Sequence, residues 1–318
     1  MENFTVLTNP NESVWECVAD TITKTEGTAV AIADYSCWKK GFGDDLTLTV
    51  LKDKSTGDFV CSLATVTYCM SRNSKTREPI TAVGMFYTSE KYRGKGIGTK
   101  VFGSMLSLER FAGHNMTLLA AEHMAPKYAS KFGFSNEPPF TWKTYAVTAD
   151  RISTKRLMRH REVHILPWTN VEFAKIDSFD KTIATDIVRT DYLKASLEIP
   201  EALTLVALGK SEAVTGIIRG RQCVQNQLYV GPFYADSPAI AESLLKEFFE
   251  NFTSIASVSR ILISAPSDNE DFTRLWSKML NSNVEDAGIL MPGQFTKTPP
   301  KIPTDRIYGV FEYSMSYV

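Results

Sequence analysis

Residues 79–98 read PITAVGMFYTSEKYRGKGIG. The apolar run at 79–88 predicts a strand. The glycine-rich turn RGKGIG at 93–98 follows it closely, and apolar side chains then recur at helical spacing over 101–108. The stretch therefore predicts a strand, a basic glycine loop and an amphipathic helix in direct succession.

The glycine loop has the chemistry of a diphosphate site. A helix N-terminus presents backbone N–H groups and a partial positive charge to an anion. Arg93 and Lys95 add formal charge, while Gly96 and Gly98 remove side chains that would block close approach. The spacing of the glycines fits neither the Walker pattern G-x-x-x-x-G-K-[ST] nor the dinucleotide pattern G-x-G-x-x-G.

The length of the chain and the order of its predicted strands and helices indicate two domains. A chain of 318 residues exceeds one comfortable core, so we expect two units of about 150 residues each. The basic stretch 150–162 is the expected linker, giving domains at 1–149 and 150–318. Runs of strands followed by alternating helices and strands indicate an α/β fold, with a mixed (α+β) sheet covered by helices. In the first half, strands are predicted at 4–8, 46–52, 59–70 and 115–121, with a helix at 124–132.

The second half repeats this order. Strands are predicted at 203–208, 213–218 and 227–230, and a helix begins at Pro238. A strand at 260–265 precedes the spacing S-x-x-E at 267–270, which predicts a capping box for the next helix.

The overall composition indicates a neutral protein of a reducing compartment. Lys and Arg number 35 against 36 Asp and Glu, so no broad field attracts nucleic acid or an anionic membrane. The basic stretch 150–162 is interpreted as a solvated segment. The five cysteines form no C-x-x-C pair, and we found neither a signal peptide nor a spanning apolar run. We therefore expect a cytoplasmic protein that contacts neither nucleic acid nor membrane.

The pattern R-x-x-G-x-G at 93–98, after an apolar strand and Tyr92, resembles the GCN5-related N-acetyltransferase (GNAT) superfamily. The resemblance implies that the loop binds the pyrophosphate of acetyl-CoA. It also implies that the preceding strand splays from its neighbour, so that its backbone groups pair with the pantetheine arm. The cofactor residues implied are Phe86, Tyr87 and Thr88 for the arm, and Arg93, Gly94, Lys95, Gly96, Ile97, Gly98, Thr99 and Lys100 for the pyrophosphate.

Two further segments resemble a two-domain GNAT subfamily with a degenerate second copy. Trp38, Gly41 and Asp44 form the pattern W-x-x-G-x-x-D, and YVGPFYAD at 229–236 is similar to a G-P-[LF]-Y-A-D segment. The resemblance implies a GNAT fold duplicated in tandem, with a splayed central sheet. Because the loop at 231–237 lacks Arg and Lys, the second domain is expected to be a substrate wall or structural partner.

Candidate catalytic residues follow the fifth strand. GNAT enzymes often place a tyrosine four residues before a Gly-Phe pair, but Ala129 occupies that position before Gly133-Phe134 and Tyr128 lies one residue earlier. Tyr128 is either the general acid, brought round by a tightened helix, or a core aromatic. Glu122 and His123 lie where the central strands should diverge. His123 is the preferred base, because an imidazole titrates near neutrality, although it could instead cap a helix or face solvent.

Three residues are candidates for the acceptor site. Asp44 is expected either to hold the substrate ammonium or to cap a turn, and Trp38 to be a pocket wall or a core anchor. If Trp38 and Tyr234 line a pocket between the domains, an apolar or aryl amine is favoured.

The leading hypothesis is an acetyl-CoA-dependent N-acetyltransferase acting on a primary amine of a small molecule. The amine would attack the thioester directly in a ternary complex, without a metal or a covalent enzyme intermediate. The alternatives are a non-catalytic acyl-CoA-binding protein, because the usual carboxylate and tyrosine positions are not filled, or a protein or peptide N-acetyltransferase, which would need an open groove.

Overall fold

The computed structural model describes residues 2–72, 74, 78–280 and 288–318. In it the stretch quoted above folds as predicted. Strand β4 (Ile80–Thr88) leads through the glycine loop into helix α3 (Ile97–Leu106). The buried face of α3 contains Val101 and Met105, in agreement with the helical spacing of the apolar residues.

The first sheet is mixed. Its first four strands form an antiparallel meander, which includes the three consecutive strands predicted at 46–52, 59–70 and 79–88. The fifth strand pairs with β4 in parallel. A short strand, β8 (Ile187–Val188), adds to one end of the third. In spatial order the main strands are β1 (Phe4–Thr8), β2 (Leu46–Asp53), β3 (Phe59–Met70), β4, β5 (Asn115–Leu119) and β14 (Gly293–Phe295).

The second sheet repeats this plan. Two neighbouring strands, β11 (Gln227–Ala235) and β12 (Arg260–Pro266), pair in parallel as β4 and β5 do, while the remaining pairs are antiparallel. β15 (Ile307–Gly309) joins the far end of β11. The spatial order is β13 (Ile289–Met291), β6 (Trp142–Val147), β12, β11, β10 (Val214–Cys223), β9 (Ala202–Leu208) and β7 (His164–Pro167).

The two halves of the chain exchange strands. β6 belongs to the predicted domain 1–149, yet it pairs with β12 and β13 in the second sheet. In return β14, from the second half, pairs with β5 in the first sheet. We did not predict β6, because two prolines just before it, Pro138 and Pro139, are typical of a loop.

Helices cover both sheets, and their ends follow local chemistry. The Asn11 side chain accepts the Val14 N–H at 3.2 Å at the start of the first helix. The predicted capping box at 267–270 is wrong, because Asn269 caps that helix by accepting the Phe272 N–H at 2.9 Å. The helices are α1 (Glu12–Glu26), α2 (Ile32–Phe42), α3, α4 (Ala125–Phe132), α5 (Phe173–Ile183), α6 (Thr190–Leu197), α7 (Pro238–Asn251) and α8 (Glu270–Met279).

None of the helices in the described ranges combines the length and the apolar character needed to cross a membrane.

The basic stretch 150–162 is tied to the second half by hydrogen bonds. The Arg156 guanidinium donates to the carbonyl oxygens of Ser277 and Lys278 at 2.9 and 3.1 Å, at the end of α8. Arg159 pairs with Glu247 at 3.1 Å. Arg156 thus donates hydrogen bonds to carbonyl oxygens at the end of α8, and Arg159 forms an ion pair with a carboxylate, so both arginines have partners within the chain.

One large core cluster joins the two halves. It contains buried aromatic side chains from both, among them Trp15, Trp38, Tyr192, Tyr229 and Phe311. Two smaller clusters lie one at each sheet, and the one at the first sheet packs α3 and α4 against it. Contact between the halves thus rests mainly on buried apolar surface.

Candidate functional site

The two central strands of the first sheet part after a short pairing. β4 pairs with β5 through Ile80, Thr81 and Ala82 only. Farther along, β5 no longer pairs with β4. Its opposite edge pairs with β14, with Leu118 opposite Gln294 and Leu119 opposite Gly293. The opening is a groove of about 610 Å³ lined by β4, α3, α4 and residues from the second half.

A bulge in β4 marks the start of the opening. Met85 has a φ of 50°, and the register with β3 shifts between Ser62 and Ala64. The Ser62 hydroxyl donates to the Met85 carbonyl oxygen at 2.6 Å, which satisfies a group that the bulge removes from the ladder. Beyond the bulge, the edge of β4 that faces the groove is available to a ligand with amide groups.

The glycine loop closes one side of this groove. Gly94 and Gly96 have φ values of 75° and 72°, and a Cβ added at either would meet nothing within 4 Å. No side chain caps the N-terminus of α3, and its first turn contains no acidic residue. The N–H groups of that turn, beside two glycines without side chains, therefore form a cradle of the kind that binds phosphate.

Gly98 sets the distance between α3 and β4. A Cβ at Gly98 would lie 2.6 Å from the Thr88 hydroxyl oxygen and 3.1 Å from the Phe86 ring. The predicted cofactor residues that line the groove are Phe86, Tyr87, Thr88, Arg93, Gly94, Gly96, Ile97, Gly98 and Thr99. Lys95 and Lys100 do not line it, and the Lys95 ammonium lies 5.3 Å from the centroid of the Tyr92 ring.

Arg93 is held on the wall of the groove by three contacts. Its Nε donates to the Thr88 carbonyl oxygen at 2.8 Å, and its Nη2 pairs with Glu26 at 2.7 Å. The guanidinium also lies 5.3 Å from the centroid of the Tyr87 ring. Arg93 thus connects the end of α1 to the glycine loop.

Positive charge predominates along the groove. Lys127 and Lys131 line it one helical turn apart on α4, together with Arg93. Glu26 is the one carboxylate among the described lining residues. The helical pattern of the sequence, with lysines at i and i+4, could have indicated Lys127 and Lys131, but we did not predict them.

Two of the three predicted catalytic residues line the groove. His123 lies on the turn Glu122–Met124 between β5 and α4, and its side chain is exposed. Tyr128 follows on α4, where its ring packs 5.5 Å from Phe102 and 6.2 Å from Phe86. Glu122 is exposed and lies outside the groove.

The packing of Tyr128 bears on the two roles that the sequence left open. Burial raises the pKa of the Tyr128 phenol well above its usual range, so the hydroxyl remains protonated near neutral pH. Tyr128 therefore is an aromatic of the core cluster around α3 and α4, and it also lines the groove with its hydroxyl protonated.

None of the three residues predicted for the acceptor site lines the groove. Trp38 is fully buried, and its Nε1 donates to Glu312 at 3.0 Å. The Tyr234 hydroxyl is buried too and accepts from Arg189 at 3.1 Å. Asp44 is exposed on the turn Gly43–Asp45 that follows α2. The two aromatic residues instead pack in the cluster that joins the two halves.

Residues far along the chain complete the groove. Met291, Tyr313 and Ser314 line it, and all three come from the second half. No pattern in the sequence marked them, because they reach the groove only through the exchange of strands and the path of the last residues.

Comparisons with known proteins agree with this architecture. Residues 1–145 match a family described as "Protein of unknown function (DUF1248)". An uncharacterized protein of Caenorhabditis elegans is 25% identical over 177 residues, which cover 53% of this chain and 54% of that protein. The chain thus aligns with about half the length of this curated relative.

Similar solved structures cover nearly the whole chain. A Pyrococcus horikoshii protein described as a candidate acetyltransferase superposes with a TM-score of 0.70 at 17% identity, covering 99% of this chain and 97% of that one. A tandem GNAT protein from the clavulanic acid biosynthesis pathway gives 0.66 at 13% identity over 94% and 95%. The chain has a tandem GNAT fold. Saccharomyces cerevisiae N-myristoyltransferase is also similar, with a TM-score of 0.65 at 9% identity over 98% and 86%.

The tandem GNAT fold confirms the fold class predicted from the sequence. Among the residues that the structure describes, the glycine loop and the groove lie beside the parallel pair of the first sheet and not beside that of the second. The site residues therefore all belong to, or converge on, the first sheet.

Proposed function

We propose that this tandem GNAT protein is an acyl-CoA-dependent N-acyltransferase that transfers an acetyl group to a primary amine of a small molecule. The observation that carries the proposal is the groove between β4 and β5, with an uncapped helix N-terminus and two unobstructed glycines on its wall. The similarity to acetyltransferases and to N-myristoyltransferase supports the use of an acyl-CoA.

The residues of the groove fit the parts of acetyl-CoA in order. Gly94, Gly96 and the first turn of α3 suit the pyrophosphate, because backbone N–H groups and small side chains meet there. The edge of β4 beyond its bulge suits the amide groups of the pantetheine arm. Phe86, backed by the buried ring of Phe102, supplies the apolar surface on which the arm would lie.

Transfer to an amine needs two proton movements. The neutral nitrogen attacks the carbonyl carbon of the thioester, the new C–N bond forms as the C–S bond breaks, and one proton leaves the nitrogen. In the proposal His123 accepts that proton, directly or through water, because it is the imidazole that lines the groove. Tyr128 donates a proton to the departing thiolate, since its buried phenol is protonated near neutral pH.

The lining from the second half supports a small acceptor over a protein. Met291, Tyr313 and Ser314 add a wall to the groove, and a groove walled on this side suits a small amine better than a peptide. The proposed function thus favours the leading hypothesis from the sequence, a small-molecule acceptor, over a protein or peptide acceptor.

Two measurements test the proposal. Isothermal titration of acetyl-CoA should give one site per chain, because only the first sheet carries the cradle. Thiol release from acetyl-CoA in the presence of a panel of primary amines should exceed hydrolysis, and mass spectrometry should detect an N-acetylated product. Binding without any product would favour a non-catalytic acyl-CoA-binding protein.

A further inference from the structure

The last residues of the chain cross the interior between the two sheets. We call residues 310–316 the strap. The Val310 N–H donates to the Ser264 carbonyl oxygen at 2.8 Å in the second sheet. The Tyr68 hydroxyl, from the first sheet, donates to the Met315 carbonyl oxygen. The strap is thus fixed to both sheets.

The middle of the strap lies against β4 at the opening of the groove. A Cβ added to Gly84 would stand 1.7 Å from the Ser314 carbonyl oxygen and 2.8 Å from the Met315 methyl carbon. Gly84 comes two residues after Ala82, the last residue of β4 that pairs with β5. The strap therefore crosses β4 just where the two strands part.

This crossing lies away from the glycine loop along β4. Thr88, which contacts Gly98 at the start of α3, is four residues beyond Gly84, or about 13 Å along a strand. A pantetheine arm that runs along β4 from the loop would thus point its thioester toward Gly84 and the strap. The second substrate has to meet the thioester at this end.

Glu312 anchors the strap in a buried polar cluster. One of its carboxylate oxygens accepts from Trp38 Nε1 at 3.0 Å, and the other pairs with Arg221 at 3.4 Å. Arg221 also forms two bonds to Asp34, at 2.8 and 3.0 Å. Burial, and secondarily the charge of Asp34, raises the pKa of Glu312 to about 7. The other polar side chains around it are Cys37, Tyr192, Ser196 and Arg219.

Next to this anchor, Tyr313 and Ser314 line the groove. The Tyr313 hydroxyl donates to the Ala29 carbonyl oxygen at 3.1 Å, which brings the neighbouring Thr28 to the same end of the groove. Glu312 is therefore placed to control the position of both lining residues without touching the groove itself.

We propose that the strap is the wall of the groove that recognises the acyl acceptor, with Tyr313 and Ser314 in contact with the acceptor and Glu312 as their positioning residue. This inference rests on the proposed function and adds the class of acceptor. Around the strap the groove is lined by Thr28, Met291 and Tyr313, and Glu26, its one carboxylate among the described lining residues, is paired with Arg93. A monoamine with an apolar or aromatic body fits this lining, whereas a polyamine would leave its further charges without carboxylate partners.

The test uses conjugates in which the sulfur of CoA is joined through an acetyl linker to the nitrogen of phenethylamine or of spermidine. Binding of CoA and of each conjugate is measured by titration calorimetry on the full chain. We expect the native protein to bind the phenethylamine conjugate at least about 10-fold more tightly than CoA, since the wall adds a buried apolar contact. The spermidine conjugate should gain less.

Four variants locate the effect. Glu312→Ala removes the anchor, and Tyr313→Ala removes the wall itself. Glu312→Gln keeps an oxygen that can accept from Trp38, so it should restore the native behaviour. Glu242→Gln alters another buried carboxylate, which pairs with Lys278 at 3.0 Å in the second half, and serves as the control for lost stability.

The two Ala variants should lose about 10-fold of the conjugate affinity while the affinity for CoA stays within about twofold. Glu312→Gln and Glu242→Gln should keep the native ratio of the affinity for the phenethylamine conjugate to the affinity for CoA. If Glu312→Ala does not fold, Tyr313→Ala decides alone. An unchanged ratio in Tyr313→Ala, a native protein that binds the phenethylamine conjugate no better than CoA, or stronger binding of the spermidine conjugate would overturn the inference.

Turnover is measured separately on the same native protein. If the conjugate binds by way of the strap but no amine is acetylated, the proposed function fails and the strap remains an amine-binding wall. If amines are acetylated but Tyr313→Ala keeps the native ratio of conjugate affinity to CoA affinity, the strap inference fails and the proposed function stands.

Discussion

The carbonyl oxygen of Ser314 rests against the Cα of Gly84, so closely that a Cβ there would stand 1.7 Å from it. The two residues are separated by most of the chain. Their contact brings the last residues to the parting of β4 and β5, and it explains why a glycine occupies the middle of a buried strand.

Gly84→Ala should therefore destabilise the protein, by about 1–3 kcal/mol, because the backbone of the strap has to move to admit the methyl group. The measurement is urea denaturation at equilibrium. The same variant should raise the KM for the amine more than the KM for acetyl-CoA, because the displaced strap lies at the acceptor end.

Gly103→Ala is the matched control for this prediction. Gly103 lies within α3, and a Cβ there would meet nothing within 4 Å. Alanine should stabilise that helix by about 0.5–1 kcal/mol. Equal losses of stability in the two variants would contradict the close contact of Gly84 with Ser314.

Gly96→Ala should weaken acetyl-CoA binding about 10-fold, because a side chain enters the phosphate cradle and the residue leaves its left-handed conformation. Gly113 offers a close match, since its φ is 79° against 72° for Gly96 and both have open space around a Cβ. Gly113→Ala should cost similar stability with no loss of affinity. Titration calorimetry and thermal melts of both variants make the comparison.

A similar loss of acetyl-CoA affinity in both variants would show that strain from either substitution spreads through the fold. The loss in Gly96→Ala would then no longer be evidence for a phosphate-binding cradle at Gly96.

Tyr128→Phe should lower kcat by about 100-fold, the usual value of a general acid, with little change in stability. Since burial raises the pKa of the phenol well above its usual range, loss of its proton should not reduce the rate between neutral pH and about pH 9. The control is Tyr308→Phe, another buried tyrosine, on β15 in the second sheet. If Tyr128→Phe keeps the native kcat, Tyr128 is only a packing residue.

His123→Gln should remove the rise of kcat/KM with pH that a general base produces. The comparison is His164→Gln, which changes an exposed histidine on the edge strand β7 and should leave the profile intact. Steady-state rates from pH 5.5 to pH 9 in the native protein and both variants decide the matter. A rise that persists in His123→Gln would exclude His123 as the base.

The sequence was most informative where the structure depends on near neighbours. Strand β4, the glycine loop and α3 were predicted because the spacing of apolar residues and the chemistry of glycine act over a few residues. For the same reason His123 and Tyr128 were placed near the groove, since both follow directly on β5.

The pattern W-x-x-G-x-x-D shows the limit of such reasoning. It left an acceptor site and a packing or turn role open, and in the structure Trp38 and Gly41 pack against the second half while Asp44 is exposed. Trp38 anchors Glu312, and a Cβ at Gly41 would lie 2.5 Å from the Tyr192 Cα where α2 crosses α6. Both partners lie in the second half of the chain, and a local pattern carries no information about them.

The raised pKa of Glu312 leads to a prediction of how the stability of the protein depends on pH. Its pKa is raised to about 7 in the folded protein, from an ordinary 4.5 for a glutamate, because burial disfavours the charged carboxylate. The stability supplied by the protonated side chain is fully present below the ordinary pKa and is lost as the pH rises through about 7. Glu312→Gln cannot titrate, so its unfolding free energy relative to that of the native protein should rise between pH 5 and about pH 8. Urea denaturation across this range measures the difference, and a difference independent of pH would mean that the neighbouring Arg221 keeps Glu312 ionised throughout.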